Sequence, residues 1–491
     1  MFKTIKGLFQ DSMVYGVGEI AAKLIGFVLI PVYTRFLTPE EYGVMGVILV
    51  LPALLGDAVN LGIVAAYYRF YFDPDIEEQS IVTSTAFIFN YCTTLFVLTI
   101  LSFLDGQVST MFFGVSSYDG LFRVLFVTGI LSNLNRFGLA ILRVQRKTGR
   151  FVLVTVVRLV LNLSLNIYFV AELNLGVMGI LLGQLVPEFL LFIFFLPVIL
   201  RRSFKPAFSF RVLRNMLGFG IPLILVNLAA WLINSLPLTM LARLSSLTES
   251  GLFTMGQKFG GLIVALVVSP FMLGWSPIAY AQAKKPEATR FYARVFTYVV
   301  CICMFAVLGI SVSVEDILQL IATPKYVPAA NVVLPVAVGA MLYGLAVFFA
   351  SMINIAKKTY YSTIIWVVAA GISLALNLLL IPRMGRTGTA LAYMLAYAFI
   401  AVVGYWAVNK LLPLPLEVRR LAKVTIASAS LLLLGLNIHI ETIWLDLILK
   451  VSLTCALPFL LFPLGFYLPE EKERIQELLR NLKPSRIQGN R

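Results

Sequence analysis

Residues Arg35–Asp73 read RFLTPEEYGVMGVILVLPALLGDAVNLGIVAAYYRFYFD. A polar turn, Thr38-Pro39-Glu40-Glu41, gives way to about 25 mostly apolar residues, enough to cross a bilayer. The run ends in Tyr67-Tyr68-Arg69-Phe70-Tyr71-Phe72, a cluster of rings and a cation of the kind that settles at the headgroup level. The turn recurs: Leu37-Thr38 and Met45-Gly46 match Leu247-Thr248 and Met255-Gly256, each 210 residues further on. One unit is used twice.

The rest of the chain is of the same kind. Of 491 residues, 60% are hydrophobic and only 13% charged. Apolar runs of 18 or more residues recur from end to end, without the period-two alternation of a barrel strand, so the expected class is a polytopic helical membrane protein. The first run, from about Val14, follows Lys3 and Lys6 and has no small-residue cleavage pattern. It reads as a retained helix. Fourteen spans are expected, at about 12–34, 42–66, 82–104, 121–141, 151–171, 176–200, 216–240, 252–275, 292–312, 331–353, 361–381, 387–409, 422–440 and 445–468.

Charge sets the orientation. With the N-terminus inside, 28 of the 39 lysines and arginines fall in inside segments and five in outside segments. That bias puts both termini in the cytoplasm, in a multi-pass protein of the cytoplasmic membrane. It also accounts for the net charge of +15 without a nucleic-acid partner. Cys92, Cys301, Cys303 and Cys455 all lie in apolar spans and read as packing residues, and His439 is the single histidine, so no metal site or cofactor is expected.

The repeat extends beyond the opening stretch. Lys147, Thr148 and Asn166 correspond to Lys358, Thr359 and Asn377, offset by 211. Six helices separate the copies, an even number, so the halves share one orientation. The expected organisation is a six-helix lobe over 1–205, a second over 206–412, two added spans over 413–468 and a cytoplasmic tail over 469–491. In the tail, Ile475, Leu478, Leu479 and Leu482 form an apolar stripe, either a membrane-surface helix or a partner-binding one. No loop exceeds about 20 residues and no phosphate-cradling loop occurs, which leaves no room for a soluble catalytic domain or a built-in ATPase. The reading is a transporter with no catalytic residues.

RFLTPEEYGVMG followed by GDAVNLGIVAAYYRFYF resembles the signature near the start of the Wzx-like oligosaccharide flippases of polysaccharide biosynthesis. The fourteen spans, the two halves and the loop RVQRKTGRF (143–151) fit the same family, which belongs with the multidrug and toxin extrusion (MATE) transporters and lipid II flippases. The resemblance implies two six-helix lobes in a V around a central cavity. It implies movement of an isoprenoid-diphosphate-linked glycan between leaflets, with membrane lipids around it and a polysaccharide polymerase and glycosyltransferases as partners. Physics agrees: an unpaired charged head cannot cross hydrocarbon, and a polar, cationic cavity open to lipid lowers that barrier.

Ionisable residues within spans are costly and usually face the interior. Glu19 and Lys23 lie four apart on one helix face, either a self-contained pair or a lysine on the diphosphate with a carboxylate governing its charge. Asp57 and Asn60 are three apart, either an ion site or hydrogen-bonded to a neighbouring helix. Arg136, Arg158 and Lys258 are the candidate cavity cations, since arginine forks suit diphosphate oxygens and lysine acts as a point charge. Arg123, at the outer end of its span, reads as an anchor. Glu188 follows Pro187, which frees a backbone carbonyl; it is an ion-coupling candidate that pairs with a cation in the cavity, or it simply marks a polar kink. Asn227 and Asn234, seven apart, meet sugar hydroxyls or neighbouring helices. Pro31 and Pro237 fall late in the first helix of each half. The rival readings are an ion-coupled drug or metabolite exporter of the same fold, a membrane-embedded glycan polymerase and a scaffold for a synthesis complex.

Overall fold

The computed structural model describes residues 26–71, 79–145, 147–202, 207–283 and 285–473. Glu19, Lys23, residues 12–25 of the first expected span and the apolar stripe of the tail lie outside them. Among the described residues there is no strand, and ten helices are long and apolar enough to cross a membrane.

The opening stretch forms α1 (Ile30–Phe36), α2 (Pro39–Ile48), α3 (Leu51–Val59) and α4 (Ile63–Phe70). The single expected span 42–66 is thus three short helices. They break at Leu49-Val50 and again at Leu61 and Gly62, both with positive φ. The second break brings Gly62 onto Gly220, where a Cβ on Gly62 would lie 2.6 Å from a carbonyl oxygen. The start of α2 is fixed by a full capping box: Thr38 Oγ1 accepts from Glu41 N at 3.2 Å, and Glu41 Oε2 accepts from Thr38 N at 2.8 Å.

The first half continues as α5 (Gln79–Phe103), α6 (Asp105–Phe113), α7 (Asp119–Val144), α8 (Thr148–Ile167) and α9 (Gly176–Arg202). The expected loop 105–120 is therefore largely helical. Arg123 anchors it, with Nε 2.8 Å from Asp105 Oδ2.

The second half opens with α10 (Phe210–Asn234), α11 (Leu236–Leu244), α12 (Leu247–Gly260) and α13 (Ser269–Gln282). Pro237 sits in the first turn of α11 as Pro31 does in α1, where its missing N–H costs nothing. Then come α14 (Ala288–Ile321), α15 (Ala330–Ile355), α16 (Thr359–Leu411), α17 (Val418–Asn437) and α18 (Ile443–Leu460). At 53 residues α16 is about 80 Å of helix, far more than one crossing. Gly385, at φ 53° and ψ −129°, divides it in two. Beyond α18, Glu471 reaches Arg420 at 3.1 Å and pairs with Tyr298, pinning the start of the tail to α14 and α17.

Some of the residues matched in sequence have similar local surroundings. Thr148 and Thr359 both begin helices, after Lys147 and Lys358 in like backbone conformations. Asn166 and Asn377 are both buried, and each donates at 2.8 Å to the carbonyl four residues back. Gly176 and Gly385 have positive φ and each approaches a glutamate of the first turn of α2 or α12, Glu41 or Glu249.

Two sets of contacts join elements that are distant in sequence. In the first, α2 and α12 pack with backbones in contact: a Cβ on Gly43 would fall 1.9 Å from Leu247 O, and one on Gly251 1.8 Å from Pro39 O. Tyr326 donates to Leu37 O at 3.0 Å and stacks edge-on against Tyr42 there. In the second, α4 packs on α10, with Arg69 4.6 Å over the Phe219 ring.

Candidate functional site: two adjoining cavities

Two adjoining cavities share two wall residues, Asn162 of α8 and Gln184 of α9. The first, of about 230 Å³, lies within the first half among α3, α5, α7, α8 and α9. Arg136, Arg158, Asn133, Ser132, Thr128 and Glu188 line it.

Its geometry begins with Pro187. Proline carries no N–H, so the Gly183 carbonyl loses its helical donor. Asn162 Nδ2 approaches that carbonyl at 3.5 Å. One turn on, Glu188 is only 3% exposed and forms an ion pair with Arg158. Asn135 Nδ2 lies 2.7 Å from Glu188 Oε2 and 2.8 Å from its main-chain oxygen. A buried carboxylate held by a guanidinium and an amide is a satisfied one. Arg136 lies across Gly56, where a Cβ would be 2.8 Å from a guanidinium nitrogen.

Asn60 takes the hydrogen-bonding alternative read for it, donating to Asn133 Oδ1 at 2.8 Å on α7. The side chain of Asp57 lies outside the described residues.

The second cavity, of about 460 Å³, lies among α1, α2, α8, α9, α10, α11 and α12. Tyr33, Asn162, Gln184, Asn234, Gln257 and Lys258 supply its polar wall. Asn234 is the last residue of α10. The helix stops there, so its carbonyl is left to Gln257 Nε2 at 3.3 Å, and its own Nδ2 donates back to Ala230 O at 2.7 Å. Lys258 Nζ sits 5.7 Å from the Tyr33 ring centroid and 5.1 Å from that of Tyr42, a cation held by two π faces. Among the described residues no carboxylate pairs with it.

The structure therefore brings Arg136, Arg158 and Glu188 together in one cavity and Lys258 with Asn234 in the next. Asn227 lies on an exposed part of α10 and lines neither. Asn162, Gln184 and Tyr33 were not singled out from sequence. Their signals were there: Asn162 and Asn166, and Gln184 and Glu188, are spaced four apart and so share a helix face.

A multi-pass chain whose described residues are helical and enclose polar, cationic cavities has the architecture of a membrane transporter. In fold it is similar to the lipid II flippase MurJ in an inward closed conformation, with TM-score 0.75, 12% identity, and cover of 94% of this chain and 99% of that one. An inward-facing multidrug-resistance MATE transporter of the MOP superfamily matches with TM-score 0.66, 16% identity, and cover of 82% and 96%. In sequence, residues 32–331 match the polysaccharide biosynthesis protein family, and the chain belongs to it. A Haemophilus influenzae relative, Lsg locus protein 1, is 24% identical over 288 residues, 57% of this chain and 68% of its own length. Family and fold together place the chain among membrane flippases and transporters.

Proposed function

We propose that the protein moves an isoprenoid-diphosphate-linked oligosaccharide across the cytoplasmic membrane by alternating access between two lobes, 1–205 and 206–412. The observation that carries this reading is Lys258, an ammonium lining the larger cavity with no carboxylate partner among the described residues. A fixed cation in a low-dielectric space calls for an anion, and a diphosphate brings several acceptor oxygens. Arg136 lines the adjoining cavity, and the amides Asn162, Gln184, Gln257 and Asn234 suit sugar hydroxyls. The exporter alternative needs an available membrane carboxylate, and Glu188 is already engaged by Arg158 and Asn135.

The test is transport itself. In proteoliposomes holding the purified chain, a fluorescent lipid-diphosphate oligosaccharide should become accessible in the far leaflet, and the same lipid with a neutral linkage should not. Equal movement of both, or proton- or sodium-driven efflux of a cationic drug without glycan movement, would remove the basis for this reading.

In the same proposal both termini are cytoplasmic, so the end where α2 meets α12 faces outside. A cysteine introduced in 116–120 should react with an impermeant thiol reagent added to intact cells, and one in 147–149 only after the membrane is opened. The reverse pattern would invert the topology.

A further inference from the structure

Away from both cavities, Asp316 of α14 and Asp446 and Lys450 of α18 meet in the protein interior. They are 5%, 3% and 2% exposed. Lys450 Nζ lies 2.8 Å from Asp316 Oδ2 and 2.7 Å from Asp446 Oδ2. The two carboxyl groups therefore face one another across a shared ammonium, and Asp446 also meets the Ile440 main chain. Asp446 Oδ1 is buried and receives no well-formed hydrogen bond among the described residues.

Two carboxylates and one ammonium sum to one negative charge. Leaving that charge unbalanced in so enclosed a place costs several kcal/mol. Two carboxylates that share one ammonium still repel one another, and a proton on either removes that repulsion. A metal ion does not fit the position, because the ammonium already occupies the space between the two carboxylates. No other charged side chain meets the three among the described residues. On α14 the neighbouring Glu315 is exposed. On α17 the charges Arg419, Arg420 and Lys423 lie in its first turns, where Arg420 meets Tyr298 of α14, whereas the turn beside Asp316's end of α14 is its last, where Gly435 packs on Val312. His439 and Glu441, in the connection before α18, are exposed.

We infer that Asp316, Asp446 and Lys450 form a binding site for one proton at the joint between α14 and the last two helices. The bound proton sits on one carboxyl oxygen, leaving the cluster neutral with Lys450 charged. Asp446 is the fourth residue of α18 and Asp316 the sixth from the end of α14. The site is therefore one to two turns below the helix ends, a short distance from water. Loss of the proton sets two carboxylates against one ammonium and loosens α18 from α14. The site stands apart from the cargo path, so its chemistry does not depend on which cargo moves.

The folded chain binds a proton that its unfolded carboxyls release above their usual range near pH 4. Stability is then fully present at acid pH and is lost as pH rises through the folded site's own titration, by up to tenfold in the folding equilibrium per pH unit. The experiment uses the full chain in detergent micelles. Infrared difference spectra between wild type and Asp316→Asn, and between wild type and Asp446→Asn, should show the loss of a protonated-carboxyl band at neutral pH in at least one variant. That variant should lose the one-proton slope of thermal midpoint against pH between pH 5 and 9. A spectrum without such a band, or a slope unchanged in both variants, would overturn the inference. Failure of both variants to fold also counts against it, because an amide is close in shape to the neutral carboxyl it replaces.

Discussion

Alanine at Lys258 should stop glycan transport and leave the protein folded, whereas alanine at Arg158 should lose stability as well as transport. The difference lies in what each cation touches. Lys258 is held by two tyrosine rings, an interaction of about 0.5–2 kcal/mol, and its removal also relieves the cost of holding a charge away from water. The two effects oppose each other, so the midpoint of unfolding should move little. A charge-assisted contact to a diphosphate is worth about 1.5–3 kcal/mol, so transport should fall roughly 10- to 150-fold. Arg158 instead neutralises Glu188, whose side chain is 4% exposed while that of Arg158 is 39% exposed. Removing one partner of a buried pair costs about 3–5 kcal/mol, and the partial exposure of the arginine points to the lower end. Replacing both partners with leucine should restore much of that stability without restoring transport. Thermal midpoints and flipping rates on the same four preparations check this. Full transport by Lys258→Ala would remove the central cation from the proposed mechanism.

The sequence made the helical class legible because hydrophobic length is a local property. Fifteen to thirty apolar residues in a row cannot be hidden in a chain of this size. It also singled out Arg136, Arg158 and Lys258, since cost decides where a charge within a span may sit, and each of the three lines one of the two cavities. Partnership was only partly legible. Glu188 read as the partner of a cavity cation or as a kink, without saying which cation, and nothing local announced Asn135, 53 residues away on another helix. Helix breaks were only partly legible. Pro31 and Pro237 announced theirs, but the break at Leu61 and Gly62 had no proline, and Asn60-Leu61-Gly62 looked like the interior of a span. The repeat illustrates the same limit. Sequence paired Thr38 with Thr248, whereas the residue that caps α12 is Ser246, which accepts from Glu249 N at 3.1 Å. Identical letters marked the unit, and hydrogen bonding set its register two residues away.

The two sets of glycine contacts lead to the last expected result. Gly43 and Gly251 let the backbones of α2 and α12 touch, and Gly62 and Gly220 do the same for the start of α4 and the middle of α10. A methyl group on Gly251 would lie 1.8 Å from Pro39 O, and one on Gly220 2.5 Å from Leu61 O. Both distances are far inside van der Waals contact, and in neither case is the obstacle a side chain that can turn aside. Close packing resists such overlap, at about 1–3 kcal/mol or more. Each substitution therefore disfavours closure at its own end and leaves the other end untouched. A shift of about 1.4 kcal/mol changes the ratio of open to closed states tenfold. In a chain freed of its four cysteines, a single cysteine at Ser235, on the wall of the larger cavity, should report this. Gly251→Val should raise its labelling by an impermeant reagent from the outside by about tenfold, and Gly220→Val should raise it from the cytoplasmic side instead. Alternating access requires that the two responses be opposite. If both variants label as the parent does, or both from one side, the glycine contacts are packing within a fixed assembly and the halves do not part at those points.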